Sequence, residues 1–479
     1  MSKYFLVFGA LLLSSGCAST STFNSYTSQL NPVIQNIKEN KSIDLTKQFA
    51  PQMNSADKIL YLMERGRIAQ IQGDFDTSRT NFEAAINAIK ENDQKAIISA
   101  SGAGAQSGAL LVNDNAVPYK GDGYERVMLY HFQAMNYLAK NDIEGAGVEV
   151  RRANLEQEEA LKLHEKELQQ AQESARNNKV PTQTPDSVVK VYADLDRYIG
   201  SVKNSFQNAY TFYLSGIIYE MLGQNNDAYI DYKKANEISP DNTYLQKDVL
   251  RLAQQLNMGD DLKRFKTDYP QAARSLSNTP SGGTGELIVL FEDDFIPQKE
   301  QIKIPIPVSL QAVTMTAVAF PVYHPKDMAV FPLVLSEGGN PAGSTEAICF
   351  TGALAIKALK EKVPAMVIRQ LIRSALKGAA AAEAKKELGG WGSLVASAYN
   401  FISENADVRS WTTLPFDVQI MRTNLSTGEH NFAMIHPASG ATLNIKVNIT
   451  DRGKTIIRVI RTGSKLSAFA EYHGFLSRG

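Results

Sequence analysis

The sequence predicts a multidomain chain, in which an all-α helical-repeat domain is followed by an α+β domain with a mainly antiparallel sheet. Three observations carry that reading. Up to about residue 270, long periodic segments are rich in Ala, Leu, Gln, Glu and Lys with Pro scarce, the pattern of amphipathic helices. A Ser/Gly/Pro cluster, RSLSNTPSGGTG (274–285), then reads as a linker. Beyond it ELIVLF, KIPIPV, AVTMTAVAF, FPLVL, FDVQIM, TLNIKVNI and TIIRVI are short, β-branched and often alternating, with turn residues between them. Helical sequence returns from about 352 to 404. The expected boundaries are 31–270 for the helical domain, 271–285 for the linker and 286–479 for the α+β domain.

Residues 1–17, MSKYFLVFGALLLSSGC, place Lys3 before a stretch from Tyr4 to Leu13 that is mostly apolar. It is too short to span a bilayer and suits the hydrophobic region of a signal peptide. Small residues Ser14, Ser15 and Gly16 precede Cys17, whose thiol can carry a thioether-linked diacylglycerol. The arrangement resembles the bacterial lipobox, although Leu13 sits one position further back than that pattern prefers. It implies a signal peptide over 1–16 and lipid attachment at Cys17. Ala18, in place of an aspartate, implies the outer membrane, facing the periplasm. The Ser/Thr-rich stretch that follows suits a flexible lipidated tether over 17–30.

Hydrophobic residues at 43% and charged residues at 21% describe a globular protein. Lys+Arg and Asp+Glu are 50 each, and loss of Lys3 with the signal would leave one acidic charge in excess. No basic surface is implied, so nucleic acid is not an expected partner. With Cys17 acylated, Cys349 has no partner for an internal disulfide, and in the apolar ICFTG it reads as a small core residue.

Within the helical half, FYLSGIIYEMLGQNNDAYIDYKKANEISP (212–240) spaces Phe212, Gly216, Tyr219, Gly223, Ala228, Tyr232, Ala235 and Pro240 as two helices around a turn. This resembles the tetratricopeptide repeat. Weaker copies lie at 62–86, with Gly66, Gly73 and Phe82, and at 130–153, where Asn141 replaces the turn glycine. Leu245, Val249, Leu250, Leu252 and Leu256 read as a capping helix. The resemblance implies a concave groove lined by Arg67 and Gln70, His131 and Met135, and Tyr213, Ile217 and Glu220. Those side chains are expected to face solvent and hold a protein partner.

Chemistry is harder to find. His131, His164, His324, His430, His436 and His473 form no paired metal-ligand spacing, so no metal and no cofactor are expected. SGAGAQSGA (101–109) lacks the Lys-Ser/Thr of a phosphate loop. Glu292, Asp293 and Asp294 read as solvated residues at a strand end. YKGDGYER, with Tyr119, Glu125 and Arg126, together with Arg151-Arg152, suggests either a charge-assisted network between helices or a patch for carboxylate or phosphate. In ADVRSWTTLP (406–415), Arg409 and Trp411 lie on one face of an extended segment, as sheet-sealing packing or as a ligand site. Arg369, Arg373 and Lys377 make a basic stripe, read as a solvated helix face.

The lipobox, YKGDGYER, VEVRRAN (148–154), GELIVLFEDDFIPQK (285–299), RQLIRSALK and ADVRSWTTLP together resemble a poorly characterised family of Gram-negative lipoproteins with tetratricopeptide-like repeats. No enzymatic activity is attached to that family. Lipoproteins of this kind are found near activators of peptidoglycan synthases, which implies a cell-envelope role. The leading expectation is a lipid-anchored scaffold holding an envelope protein partner, with homo-oligomer formation open. The alternatives are an envelope hydrolase or transferase with its site in the α+β domain, and a structural component of a larger outer-membrane machine.

Overall fold

The structure is a computed structural model, which describes residues 26–100, 117–200, 202–275, 283–307, 315–324, 329–388 and 405–475. Cys17, the signal segment and SGAGAQSGA lie outside the described residues. Helix α1 (Tyr26–Lys38) buries Tyr26, Leu30, Val33 and Ile37, so the last five residues of the expected tether are the first turns of a packed helix.

Three helical hairpins follow: α2 (Lys58–Ile71) with α3 (Phe75–Ala100), α4 (Gly123–Leu138) with α5 (Ile143–Asn177), and, after the short helices α6 (Asp186–Ala193) and α7 (Asp196–Ile199), α8 (Ala209–Met221) with α9 (Asn225–Ile238). Their turns are built at Gly73, Asn141 and Gly223, with φ of 81°, 56° and 72°. Asn141 thus takes the left-handed conformation that a glycine adopts at the other two turns. The close approaches fall at Gly66, where an added Cβ would lie 2.3 Å from the Phe82 ring, and at Gly216, 2.6 Å from the Tyr232 ring. Helix α10 (Thr243–Gln255), read from sequence as a cap, does not end the array. Asn257 turns the chain in a left-handed conformation and α11 (Gly259–Asp268) packs back on α10, before α12 (Pro270–Ser275).

The β half contains eleven strands among the described residues. A five-stranded sheet has the order β11 (Lys465–Phe475), β10 (Gly453–Thr462), β1 (Thr284–Asp293), β7 (Asp417–Ser426) and β6 (Glu346–Cys349). Only the β1–β10 pairing in it is parallel. A four-stranded antiparallel sheet runs β5 (Asn340–Ser344), β4 (Val334–Glu337), β8 (Gly428–His436), β9 (Ala441–Ile449), and β2 (Lys299–Pro307) pairs with β3 (Met315–Tyr323). Helix α13 (Thr351–Leu388) lies along α5, where Ala365, Ile368 and Ile372 meet Ala171 and Ala175. No helix among the described residues is long and apolar enough to cross a membrane.

Because side chains alternate along a strand, the five-stranded sheet has two buried faces. Leu287, Val289 and Phe291 of β1, with Ile457 and Val459 of β10, pack on Phe432, Met434 and Val447 of the four-stranded sheet. Ile288, Leu290, Ile420 and Ile456 point the other way and join one continuous core with the repeat helices. The β half therefore packs on the hairpins, and that contact determines what the groove residues can do.

Candidate functional site

Arg67 projects from α2 into the helix–sheet contact and is 1% exposed. Its guanidinium pairs with Glu292 of β1, sits over the Phe132 ring with its carbon 4.3 Å from the centroid, and donates to Gln70 at 3.2 Å. Gln70 in turn donates to Asn136 at 2.6 Å and accepts from Arg458 of β10 at 3.1 Å. Tyr210 donates to the other Glu292 oxygen at 3.2 Å. His131 lies tilted against Tyr210 with ring centroids 4.1 Å apart; burial, Arg458 and Arg67 hold its pKa well below the usual value, so the imidazole is neutral. Met135 receives Tyr210 and Arg458 on its sulfur.

At the third hairpin, Glu220 is the hub of a second charged cluster. It takes Arg251 at 2.8 Å, Arg422 of β7 at 3.1 Å, Lys454 of β10 at 3.2 Å and the Tyr232 hydroxyl at 2.6 Å. Arg422 also reaches Asp248 at 3.0 Å and Glu286 of β1 at 2.7 Å, and Lys454 pairs with Glu286. Burial alone would raise these carboxyls. The surrounding cations overcome it, holding Glu220 well below the carboxylate range and Glu286 at about 2. Tyr213 and Ile217 are buried in the core beside them. All seven side chains expected to face solvent in the groove are thus buried, and Arg67, Gln70, Met135 and Glu220 touch the chain's own β half directly. Strand positions that carry charge fill the groove with the groove's complementary charges.

ADVRSWTTLP forms a strap over the first two hairpins. Arg409 pairs with Asp57 at 2.5 Å and with Asp407 at 2.7 Å. The Trp411 indole is fully buried between Phe82 and Phe132, with centroids 5.7 and 5.9 Å away, and its Nε1 donates to Thr413 at 3.1 Å. Glu125 accepts from the Trp411 main-chain N–H at 2.7 Å, and Glu64 accepts from Thr412 N–H at 2.8 Å and from the Thr413 hydroxyl at 2.5 Å. This is packing that seals the halves together.

The other singled-out residues divide. Tyr119 donates to Glu125, and the Glu125 carboxylate completes a capping box with Asp122 at the start of α4. Arg126 pairs with Glu156 at 2.5 Å and Asp93 at 2.9 Å, which makes YKGDGYER a helix-joining network. Arg151 and Arg152 do not join it; both are exposed, Arg152 pairing with Glu149 at 2.6 Å. Glu292 and Asp293 are buried, not solvated, because the sheet is covered on both faces. Asp293 pairs with Arg461 and stands opposite Asp417 across β1 and β7. Burial and then Asp293 push the Asp417 carboxyl up to about 7. Arg373 is likewise buried, and Arg369 pairs with Glu167 of α5 at 3.0 Å, so α13 turns that stripe toward α5. The side chain of Lys377 lies outside the described residues.

An open cleft lies elsewhere. A space of about 740 Å³ separates the third hairpin from the β6–α13 connection, walled by Phe212, Lys234 and Ile238 on one side and by Ala347, Ile348 and Phe350 on the other. Phe350 is 40% exposed, and Lys203, Glu237 and Asp241 supply a rim of mixed charge. Asn242, the cap of α10, donates to the main-chain oxygens of Glu346 and Ala347 at 3.3 and 3.0 Å and so occupies part of the β6 edge. Cys349 lines this wall from beneath, its thiol pushed up to about 12 by burial. Sequence reading missed the cleft because its walls come from segments more than a hundred residues apart. The only local signal was Phe350 next to the buried cysteine. Neither Arg409, Trp411 nor the Glu292–Asp294 run lines it.

No protein-family model matches the chain, and no curated protein matches it. Among solved structures, the crystal structure of yeast Tom70 is similar at 17% identity, with a TM-score of 0.19. The alignment covers 51% of this chain and 46% of that one, so it spans less than half of the yeast protein's length.

Proposed function

We propose that this chain is a lipid-anchored, periplasm-facing scaffold of the outer membrane that holds a cell-envelope protein partner. The partner's contact is the cleft between the third hairpin and the β6–α13 connection. The observation that supports this reading is the contrast between the groove and the cleft. The groove positions are consumed by the chain's own sheet and strap, whereas the cleft remains open, with an apolar floor, an exposed aromatic and a polar rim, the makeup of a protein-binding surface. Anchoring through Cys17 and the envelope role rest on the lipobox and the family resemblance.

The test is site-specific photocrosslinking in cells. A benzophenone side chain placed at Phe350 or at Lys203 is expected to capture one and the same protein, while the same probe at Asn431, on the outer face of the four-stranded sheet, does not. Capture from Asn431 alone would move the contact away from the cleft. In the same cells Cys17→Ser should accumulate as an unprocessed precursor; normal processing and outer-membrane fractionation of that variant would remove the anchor from the proposal.

A further inference from the structure

Three carboxylates of the helical half hold the strap, and they are chemically unlike one another. Asp57 faces the Arg409 guanidinium. Glu125 lies near Lys299, which favours its ionised form, and beside Asp122, which opposes it. Glu64 on α2 is fully buried, and among the described residues no lysine, arginine or histidine stands within ion-pair distance of it. The groups that touch it are hydroxyls and amides: the Tyr26 hydroxyl of α1, and from the strap the Thr413 hydroxyl and the Thr412 and Thr413 N–H groups. Tyr61 faces it from its own helix. The nearest cations of the packed elements are engaged elsewhere, Arg409 by Asp57 and Asp407 and Arg67 by Glu292.

A carboxylate buried without a cation is costly, and the neutral acid avoids that cost. Here the neutral acid also keeps its bonds, because a hydroxyl can turn from donor to acceptor. Protonated on Oε2, Glu64 donates its one proton to the Thr413 oxygen, and Oε1 still accepts the Tyr26 hydroxyl and the Thr412 N–H. We propose that the strap is a proton-sensitive latch over the repeat groove, tightened when Glu64 takes up a proton and loosened when it ionises. Burial pushes this carboxyl up to about 7, with Thr413, Tyr26 and Thr412 pulling the other way. Its value in the folded chain therefore lies above the usual 4.5 of the unfolded one. The stabilising contribution is full below the lower value and is lost as pH rises through the upper one.

Hydrogen exchange on the full-length chain, corrected for the intrinsic exchange rate, reads the latch directly. Between about pH 5.5 and about pH 8.5, protection of the Trp411 and Thr412 amides should fall about tenfold relative to Leu290 and Ile457 in the sheet. In Glu64→Gln that ratio should not change with pH. A constant ratio in the native chain, or a pH-dependent one in the Gln variant, overturns the proposal. Thr413→Val gives a second measurement should the Gln variant misfold. It removes one donor to the carboxylate, so the midpoint of the protection change should move to higher pH, and an unmoved or lower midpoint would contradict the latch.

Discussion

The two faces of the five-stranded sheet are both buried, yet they are made differently. The face toward the four-stranded sheet is apolar along β1 and β10, with Leu287, Val289, Phe291, Ile457 and Val459. The face toward the helical hairpins interleaves apolar Ile288, Leu290, Ile420 and Ile456 with Glu286, Glu292, Arg422, Lys454 and Arg458. Apolar packing tolerates many arrangements of similar volume. A buried charge is stable only against its own partner, so the second face accepts one docking position of the hairpins. Ion pairs add less net stability than apolar packing of the same size; on this account their contribution here is register.

Breaking the charged face should produce the largest effects. Glu220→Ala leaves Arg422 and Lys454 buried with only Glu286 and Asp248 to answer them, and should cost about 3–5 kcal/mol in chemical denaturation. A cost typical of a surface glutamate, below about 0.5 kcal/mol, would mean that the two halves do not meet as described.

Gly216→Ala probes the hairpins rather than the sheet. Its new Cβ would fall 2.6 Å from a Tyr232 ring that is itself held by Glu220, so the ring has little room to move. The expected loss is about 1–3 kcal/mol, measured by the same denaturation. An unchanged midpoint would show that α8 and α9 are further apart than this.

A smaller change should separate the apolar face from its polar end. Asp417 and Asp293 stand opposite each other, and the raised Asp417 value means that this group's contribution is full below about 3.8 and lost as pH rises through about 7. Asp417→Asn removes that loss. The variant should match the native chain near pH 4 and exceed it near pH 8 by at least one unit's worth of pKa shift, about 1.4 kcal/mol. Equal stabilities at both pH values would place Asp417 in contact with solvent.

Much of the architecture was legible in the sequence. The helical turns at Gly73 and Gly223, the change to alternating β-branched segments and the start of the sheet at GELIVLF all have local physical causes. The groove was not legible, for a specific reason. Repeat geometry correctly puts Arg67, Tyr213 and Glu220 on the inner surface of the hairpins, but says nothing of what covers that surface. The covering strands gave a misleading signal, because Glu286, Glu292, Lys454 and Arg458 at alternate positions look like a solvent face. Only pairing the two sets of charges reveals the contact, and the pairs lie more than a hundred residues apart. The strap was read more closely. Arg409 and Trp411 do serve packing, but against the helical hairpins and not at a sheet edge: Asp57, Phe82, Glu125 and Phe132, which hold them, come from a different half of the chain.

The claim that the chain fills its own groove is tested most directly by a double-mutant cycle on Arg67 and Glu292. Arg67→Met and Glu292→Leu should each strand a buried charge and cost about 3–5 kcal/mol. The double variant, with that pair gone and the volume kept, should cost clearly less than the two single variants together, the remainder coming from Arg458, 4.0 Å from the lost carboxylate, so that a coupling of several kcal/mol joins residues 225 positions apart. Two near-neutral single variants whose effects simply add would contradict the account, because they would put both side chains in solvent and leave the groove empty.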